Sequence, residues 1–179
     1  MDIRDKVAVI TGSVSGLGHA TAQLFVQEGA RVVLFDLNDA LGHRIEAELG
    51  ERAVFANVDV TREDSVKSGL ALAKARFGAV HICVNCAGVA PSGKTLGRKG
   101  PLPLEHYQRV VAINPIGTFN VMRLVAEVMS HRNPVTEDGE RGVVIIRRRW
   151  RPLKARWASA SKGGVVSMTL PAARDLGNL

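Results

Sequence analysis

The stretch "KVAVITGSVSGLGHATAQLFV", residues 6–26, joins a short apolar run to an amphipathic helical pattern. The first six residues are rich in β-branched side chains, which favour a strand. Three glycines, Gly12, Gly16 and Gly18, then mark a turn. The stretch therefore predicts a buried strand, a tight turn and a helix over 15–28.

The same alternation of short apolar runs and helical patterns continues along the chain. Further strands are predicted at 31–36, 53–58, 80–85 and 142–146. The helical patterns between and after them cover 39–49, 62–76, 103–131 and a segment from Ala158 onward. Strands that alternate with helices imply parallel strands with crossover helices on both faces. We therefore predict an α/β fold with a doubly wound parallel sheet, as a single domain over 1–179.

The charge of the chain is concentrated in one segment. The 179 residues are 46% hydrophobic and 23% charged, which is typical of a globular protein with a real core. The net charge is +7, from 24 basic and 17 acidic residues. Six of the basic residues fall in 147–157, which leaves 18 basic residues against 17 acidic ones elsewhere. The basicity is therefore a local patch rather than a property of the whole domain.

Cys83 and Cys86 form a C-x-x-C pattern, which could be a redox pair or half of a zinc site. They lie in the apolar run "VHICVNCAG", and no second Cys or His pair completes a ligand set. We therefore predict buried thiols, no metal site and a reducing compartment. The chain enters its first strand without an apolar leader and has no membrane-length apolar run. These features predict a cytoplasmic protein with no membrane partner.

The glycine turn has the surroundings of a dinucleotide site. A strand precedes it, a helix follows it, and Asp36 ends the second strand. Glycines let the backbone approach a pyrophosphate, whose charge meets the free N–H groups at the start of the helix. A carboxylate at the end of the second strand can accept hydrogen bonds from the adenosine ribose and repel a 2′-phosphate. The pattern predicts NAD as the cofactor rather than NADP, although glycines can also mark a purely structural turn.

Four ordered motifs resemble the short-chain dehydrogenase/reductase family: "TGSVSGLG" at 11–18, "NCAG" at 85–88, "INPIGTFNV" at 113–121 and "SASKGG" at 159–164. The finer match, which includes "DVT" at 59–61, is similar to the type-2 3-hydroxyacyl-CoA dehydrogenase branch, also known as a 17β-hydroxysteroid dehydrogenase. The resemblance implies a Rossmann-like fold and NAD-dependent oxidation of a secondary alcohol, such as a 3-hydroxyacyl-CoA or a steroid-like substrate. It also implies a homo-oligomer.

The resemblance further implies which residues hold the cofactor. The glycine loop would lie against it, Asp36 would bind the adenosine ribose, Asp59 and Val60 would frame the adenine, and 85–88 would form the next wall. Lys162 would grip the nicotinamide ribose. The full set of expected cofactor-binding residues is Gly12, Ser15, Gly16, Leu17, Gly18, Asp36, Asp59, Val60, Asn85, Cys86, Ala87, Gly88 and Lys162.

The catalytic set that the resemblance implies is only half present. The family uses Ser, Tyr, Lys and a supporting Asn, and here Asn114 and Lys162 match. The tyrosine position, four residues before Lys162, is Ala158, and the stretch that should hold the serine reads "IIRRRW". The only tyrosine, Tyr107, lies in a helical pattern expected to stand far from Lys162. Pro115 leaves the orientation of Asn114 open. We therefore predict an impaired dehydrogenase, with a non-catalytic NAD-binding or scaffold protein as the alternative.

Three interpretations stand for "RRRWRPLKARW", residues 147–157. Its charge and two indoles suit a nucleic-acid patch, which would make the scaffold an RNA binder. It could also be a genuine basic insertion. The interpretation we favour is a displaced reading frame, because codons for a family-like Ser-Val-Ala-Ala-Gly give Arg-Arg-Arg-Trp when read out of frame. Nucleic acid is accordingly not a predicted partner.

The family also continues beyond the last motif of this chain. Its members have a sixth strand, a helical lid over the substrate and a seventh strand, and none of these follows "PAARDLGNL" at 171–179. The resemblance therefore predicts a sheet that lacks the last strands of the family. The fifth strand would then be an exposed edge.

Overall fold

The structure is a computed structural model that describes residues 1–91, 93–98, 100–147 and 158–177. Its strands are β1 (Val7–Thr11), β2 (Arg31–Asp36), β3 (Ala53–Asn57), β4 (Ile82–Asn85), β5 (Leu96–Gly97), β6 (Gly100–Pro101) and β7 (Val143–Ile146). Its α-helices are α1 (Gly16–Gln27), α2 (Asp39–Leu49), α3 (Glu63–Phe77), α4 (Leu104–Val111), α5 (Gly117–Ser130) and α6 (Ala158–Leu176).

Five strands form a parallel sheet in the order β3-β2-β1-β4-β7. The chain runs outward from the central β1 to β3 and then crosses back to β4, so the strand order reverses between β1 and β4. In folds of this kind, a crevice opens at the carboxyl ends of the strands where the order reverses. This architecture confirms the predicted doubly wound, Rossmann-like α/β class. Within the described residues, β7 pairs only with β4 and forms one edge of the sheet.

The core lies on both faces of the sheet, because alternate residues of each strand point to opposite sides. On one face, Val9 and Phe35 pack with apolar residues of α3 and α5. On the other, Ile10 and Leu34 pack with residues of α1 and α2, including Ile45. All five of these side chains are fully buried. The strands therefore read as continuous apolar runs, as buried parallel strands do.

Two features of the region between β4 and α5 were not predicted. The first is a short antiparallel hairpin of β5 and β6, which follows the loop after β4. The second is a π-helical turn, Ala112–Ile116, between α4 and α5. Pro115 lies inside this turn, and a proline has no N–H to continue an α-helical ladder. The wider turn accommodates the proline and divides the helical region that the sequence predicted as 103–131.

His81 anchors the start of the sheet. The ring Nδ1 of His81 accepts a hydrogen bond from the backbone N–H of Val7 at 3.0 Å, and the backbone N–H of His81 donates to the Val7 carbonyl at 2.9 Å. Burial, together with the smaller effect of the charges of Arg132, Lys6 and Arg31, lowers the pKa of this imidazole from 6.5 to about 4. The folded protein therefore holds a neutral His81, whose unprotonated nitrogen takes the place of a strand carbonyl.

We expect His81 to make the protein less stable in acid. Because its folded pKa is depressed, the contribution is fully present above pH 6.5 and is lost as pH falls toward about 4. Between about pH 7.5 and about pH 4 the loss should be about 3 kcal/mol in the free energy of unfolding. Urea unfolding at the two pH values measures it. His81→Asn should remove most of this pH dependence, whereas the exposed control His131→Asn should retain it; equal pH dependence in both variants would contradict the assignment.

Candidate functional site

A cavity of about 840 Å³ opens at the carboxyl ends of the parallel strands, where the strand order reverses. Its size falls in the range typical of cofactor sites. Segments that follow β1, β2, β3, β4 and β7 form its walls together with α4 and the π-helical turn. The lining residues are Gly12, Ser15, Gly16, Leu17, Gly18, Phe35, Asp36, Leu37, Val58, Asp59, Val60, Thr61, Cys86, Ala87, Gly88, Val89, Arg109, Ala112, Ile113 and Arg147.

The glycine turn after β1 brings three backbone segments together. Gly12 has a left-handed φ of 63°, and a Cβ there would lie 2.9 Å from the Ala87 backbone. A Cβ on Gly18 would lie 2.1 Å from the Gly12 carbonyl oxygen. Gly16 also has a positive φ, 53°, but a Cβ there would meet nothing within 4 Å. Gly12 and Gly18 are thus required for close packing, whereas Gly16 leaves the backbone open toward the cavity at the start of α1.

Asp36 and Asp59 supply the acidic groups of the cavity. The Asp36 carboxylate accepts backbone N–H bonds from Val14 at 3.3 Å, Leu37 at 2.8 Å and Asn38 at 3.2 Å. These bonds fix the carboxylate between the glycine turn and the end of β2. Asp59 accepts from both the N–H and the hydroxyl of Thr61, so its orientation is also fixed. Both side chains belong to the end of the cavity formed by β2 and β3.

Thr11 positions the loop after β4. Its Oγ1 accepts hydrogen bonds from the N–H groups of Cys86 at 3.1 Å and Ala87 at 3.0 Å. Asn85, the last residue of β4, is buried and donates to the Cys83 sulfur at 3.4 Å. The loop 85–88 therefore lies beside the glycine turn, as the motif predicts, although Asn85 itself supports the loop from within the sheet.

Asn114 lies in the π-helical turn and connects two parts of the site. Its Oδ1 accepts from the Val89 N–H at 2.9 Å, and its Nδ2 donates to the Val89 carbonyl at 3.0 Å. Nδ2 also donates to the Ser161 hydroxyl at 2.8 Å. Asn114 and Ser161 are both buried. The asparagine therefore ties the loop after β4 to α6, the helix that carries Lys162.

Lys162 reaches the cavity wall at Gly88. Its Nζ lies 3.3 Å from the point where a Gly88 Cβ would stand, and the Asn114 Oδ1 lies 2.9 Å from the same point. Only a glycine leaves room for both side chains. Lys162 is partly buried, and this burial lowers the pKa of its ammonium group; the nearby Arg147 lowers it further, whereas Cys86 raises it.

The structure thus brings most of the predicted cofactor residues to one cavity. Eleven of the thirteen line it directly, whereas Asn85 and Lys162 are not among the lining residues, although Lys162 lies beside Gly88 in the wall. The helix that carries Tyr107 was expected to lie far from Lys162. This helix, α4, instead packs against α6, the helix that carries Lys162. Tyr107 is nevertheless absent from the described residues that line the cavity.

Sequence reasoning missed two cationic side chains of the cavity, Arg109 and Arg147. Arg109 precedes the cavity-lining residues Ala112 and Ile113 by three and four positions, a spacing that a helix prediction alone would have placed on one face. Arg147 was assigned to the basic segment 147–157. The rest of that segment lies outside the described residues, whereas Arg147 directly follows the fifth strand of the sheet and lines the cavity.

The two cysteines are free thiols. Cys83 is fully buried, and burial raises the pKa of its thiol to about 12. Burial also raises the pKa of the partly buried Cys86. Within the described ranges, no group of three or more His, Cys, Asp or Glu side chains is placed to hold a metal ion. Among the same residues, no helix has the length and apolar character needed to cross a membrane.

The family model of the short chain dehydrogenases matches residues 6–178, so the chain belongs to that family of oxidoreductases. It is 48% identical to the human 3-hydroxyacyl-CoA dehydrogenase type-2 over 97% of this chain and 69% of the relative, and 43% identical to the Drosophila melanogaster protein of that name over 97% and 70%. These comparisons confirm the family that the four motifs resemble and the similarity to its type-2 3-hydroxyacyl-CoA dehydrogenase branch.

Solved structures agree with this assignment. The 3-hydroxyacyl-CoA dehydrogenase type-2 of Mycobacterium avium superposes with a TM-score of 0.87 at 31% identity, covering 97% of this chain and 69% of that one. A 3-ketoacyl-(acyl-carrier-protein) reductase of Brucella melitensis, solved with NADH, gives a TM-score of 0.83 at 30% identity over 98% and 72%. The predicted cofactor, NAD, is thus the one that a member of this fold family binds.

Proposed function

We propose that this chain is an NAD-binding dehydrogenase of the 3-hydroxyacyl-CoA type that keeps its cofactor site but transfers hydride only at a residual rate. The observation that carries the proposal is the continuous cavity from Asp36, past the glycine turn, to the loop beside Lys162. The proposed substrate class is a secondary alcohol, such as a 3-hydroxyacyl-CoA or a steroid-like alcohol. A cytoplasmic location, a single domain over 1–179 and assembly into a homo-oligomer stay predictions.

The residues of the cavity fit a dinucleotide. Gly12 and Gly18 allow the turn to fold tightly, and the open backbone at Gly16 and the start of α1 can approach a pyrophosphate. The fixed Asp36 carboxylate can accept hydrogen bonds from the hydroxyls of the adenosine ribose. Val60 and the segment before it can pack against the adenine. The pyrophosphate, the adenosine ribose and the adenine thus each have a protein group of matching chemistry.

The residues near Lys162 would orient the alcohol. When bound, NAD supplies the acceptor for the hydride that leaves the alcohol carbon. Lys162 can hold the nicotinamide ribose and stabilise negative charge nearby, since it is an ammonium group with a lowered pKa beside Gly88. Asn114 holds the loop and α6 together through Val89 and Ser161. These groups position the reactants, but the alcohol must still lose its proton to a base.

The proton-accepting group is the part that the sequence does not supply. A tyrosine would be required four residues before Lys162, where the chain has Ala158. Serine hydroxyls have pKa values far above the ~10 of a phenol and make poor substitutes. Ser161 moreover accepts a hydrogen bond from Asn114 within a buried contact. This chemistry supports cofactor binding with strongly reduced turnover.

We expect the chain to bind NAD at least about tenfold more tightly than NADP, because a 2′-phosphate would approach the Asp36 carboxylate. Isothermal titration calorimetry with both cofactors measures the ratio. Asp36→Asn keeps an acceptor oxygen and removes the charge, so the NAD preference should fall by about tenfold. The exposed Asp175→Asn, on α6, removes the same charge away from the cavity and should leave the ratio unchanged. Equal binding of NADP by the unmodified chain would refute the proposed role of Asp36.

A further inference from the structure

Two cations lie near the end of the cavity opposite Asp36, because Arg147 lines this end and Lys162 lies beside Gly88 in its wall. Arg147 follows β7 directly, and its N–H donates to the Asn85 carbonyl at 3.2 Å, so the backbone of this residue is held by the sheet. Its side chain lines the cavity. Lys162 approaches the same region from α6, beside Gly88. The two side chains are near enough for the charge of Arg147 to lower the pKa of Lys162.

Neither cation is neutralised within the described part of the chain. No ion pair there includes Arg147 or Lys162. The Nε of Arg147 is buried and has no hydrogen-bond partner among the described residues. A buried guanidinium nitrogen without a partner is costly, and a second cation nearby adds to the cost. An arrangement of this kind is stabilised by a bound anion.

The acidic groups of the cavity are too distant to serve as that anion. Asp36 ends β2, which is separated from β7 by three strand spacings in the sheet order. At the usual spacing between strands, this corresponds to about 14 Å. Asp59 follows β3, one strand farther away. Both carboxylates accept hydrogen bonds from their own surroundings. The negative charge must therefore come from a ligand.

We propose that Arg147 and Lys162 form a binding site for a small carboxylate anion at this end of the cavity. The planar guanidinium matches a carboxylate through two parallel hydrogen bonds, and Lys162 adds a second positive charge. Partial burial strengthens both interactions relative to water. The site does not depend on the proposed NAD function, because neither side chain needs the cofactor to reach the anion.

Calorimetric titration of the 179-residue chain with oxalate tests the proposal, and oxamide is the matched probe because it has the same shape without charge. Oxalate should bind at a single site, and oxamide should bind at least about tenfold more weakly. Inorganic phosphate is the competing oxyanion in this test, because a guanidinium also forms two parallel hydrogen bonds with phosphate oxygens. Equal binding of oxamide, or tighter binding of phosphate, would overturn the assignment of a carboxylate site.

Variants then locate the site. Arg147→Gln should weaken oxalate binding by about 10- to 100-fold, and Arg147→Lys should weaken it less because it keeps the charge. Arg44→Gln removes an exposed arginine of α2 and should have no effect. An unchanged affinity in Arg147→Gln, or an equal loss in Arg44→Gln, would contradict the proposal. If Arg147→Gln fails to fold, Arg147→Lys and the comparison of oxalate with oxamide still decide it.

A parallel NAD titration of the same preparation separates this proposal from the previous one. Oxalate binding without NAD binding would refute the proposed cofactor function and leave the anion site standing. NAD binding without oxalate binding would refute the anion site and leave the proposed cofactor function standing.

Discussion

The purified 179-residue chain is expected to produce NADH from a 3-hydroxyacyl-CoA about 10²–10⁴-fold more slowly than a repaired form of the same protein. In the repaired form, residues 146–158 are replaced by the aligned stretch of the human relative, and the remaining C-terminal part of that relative is added. The chain covers 69% of this relative, so both changes have a natural template. Absorbance of NADH at saturating NAD and substrate measures the two rates.

The expected difference follows from the missing proton acceptor. A positioned general base contributes about 10²–10⁴-fold to the rate of a proton transfer, and the methyl group of Ala158 cannot replace it. Lys162 and Asn114 remain in place, and they orient reactants without accepting the alcohol proton in the proposed scheme. The loss should therefore appear in kcat rather than in the affinity for NAD.

Two single variants serve as controls for this prediction. Ala158→Tyr alone should not restore turnover, because the serine of the family is still missing. Tyr107→Phe should leave the residual rate unchanged, because Tyr107 is absent from the described residues that line the cavity. Robust turnover by the unmodified chain, or a large loss in Tyr107→Phe, would show that another residue accepts the proton.

Gly18→Ala is expected to abolish measurable NAD binding and to lower the free energy of unfolding by about 3 kcal/mol. The added Cβ would lie 2.1 Å from the Gly12 carbonyl oxygen and 2.8 Å from the Gly12 carbonyl carbon. Both are backbone atoms of the glycine turn, so α1 or the turn must move to relieve the clash. Calorimetry with NAD and urea unfolding measure the two effects.

Gly163→Ala is the matched control for Gly18→Ala. Both glycines lie in α-helices, but a Cβ on Gly163 would meet nothing within 4 Å. Alanine has the higher helix propensity, so this variant should keep NAD binding and gain about 0.5–1 kcal/mol in stability. Similar losses of NAD binding and stability in both variants would contradict the assignment of the Gly18→Ala effect to a clash with Gly12.

The regular part of the fold could be predicted because its signals are local. The run at 6–11 predicted β1 (Val7–Thr11), and the helix predicted over 15–28 is α1 (Gly16–Gln27). The strand predicted at 80–85 begins only at Ile82, because His81 meets Val7 through its side chain as well as its backbone. Apolar periodicity identifies a strand, but it does not show which polar side chain takes the place of a strand carbonyl.

The residues of the adenosine end of the site were predictable from motifs, whereas the place of Arg147 at the other end was not. Gly12 and Asp36 belong to motifs whose spacing indicates a dinucleotide site, and the structure places both residues in the cavity. Arg147 stands at the start of a basic run, which as sequence indicates only a charged surface. Its position in the cavity follows from the pairing of β7 with β4. This pairing is a long-range contact that no local pattern encodes.

Calorimetric titration of the unmodified chain with NAD, run beside the NADH assay on the same preparation, tests the central claim most directly. We predict saturable binding at a single site per chain, together with NADH production from a 3-hydroxyacyl-CoA at least about 10²-fold below that of the repaired form. The absence of NAD binding by a folded chain would contradict the proposed cofactor site, and turnover equal to the repaired form would contradict the proposed impairment.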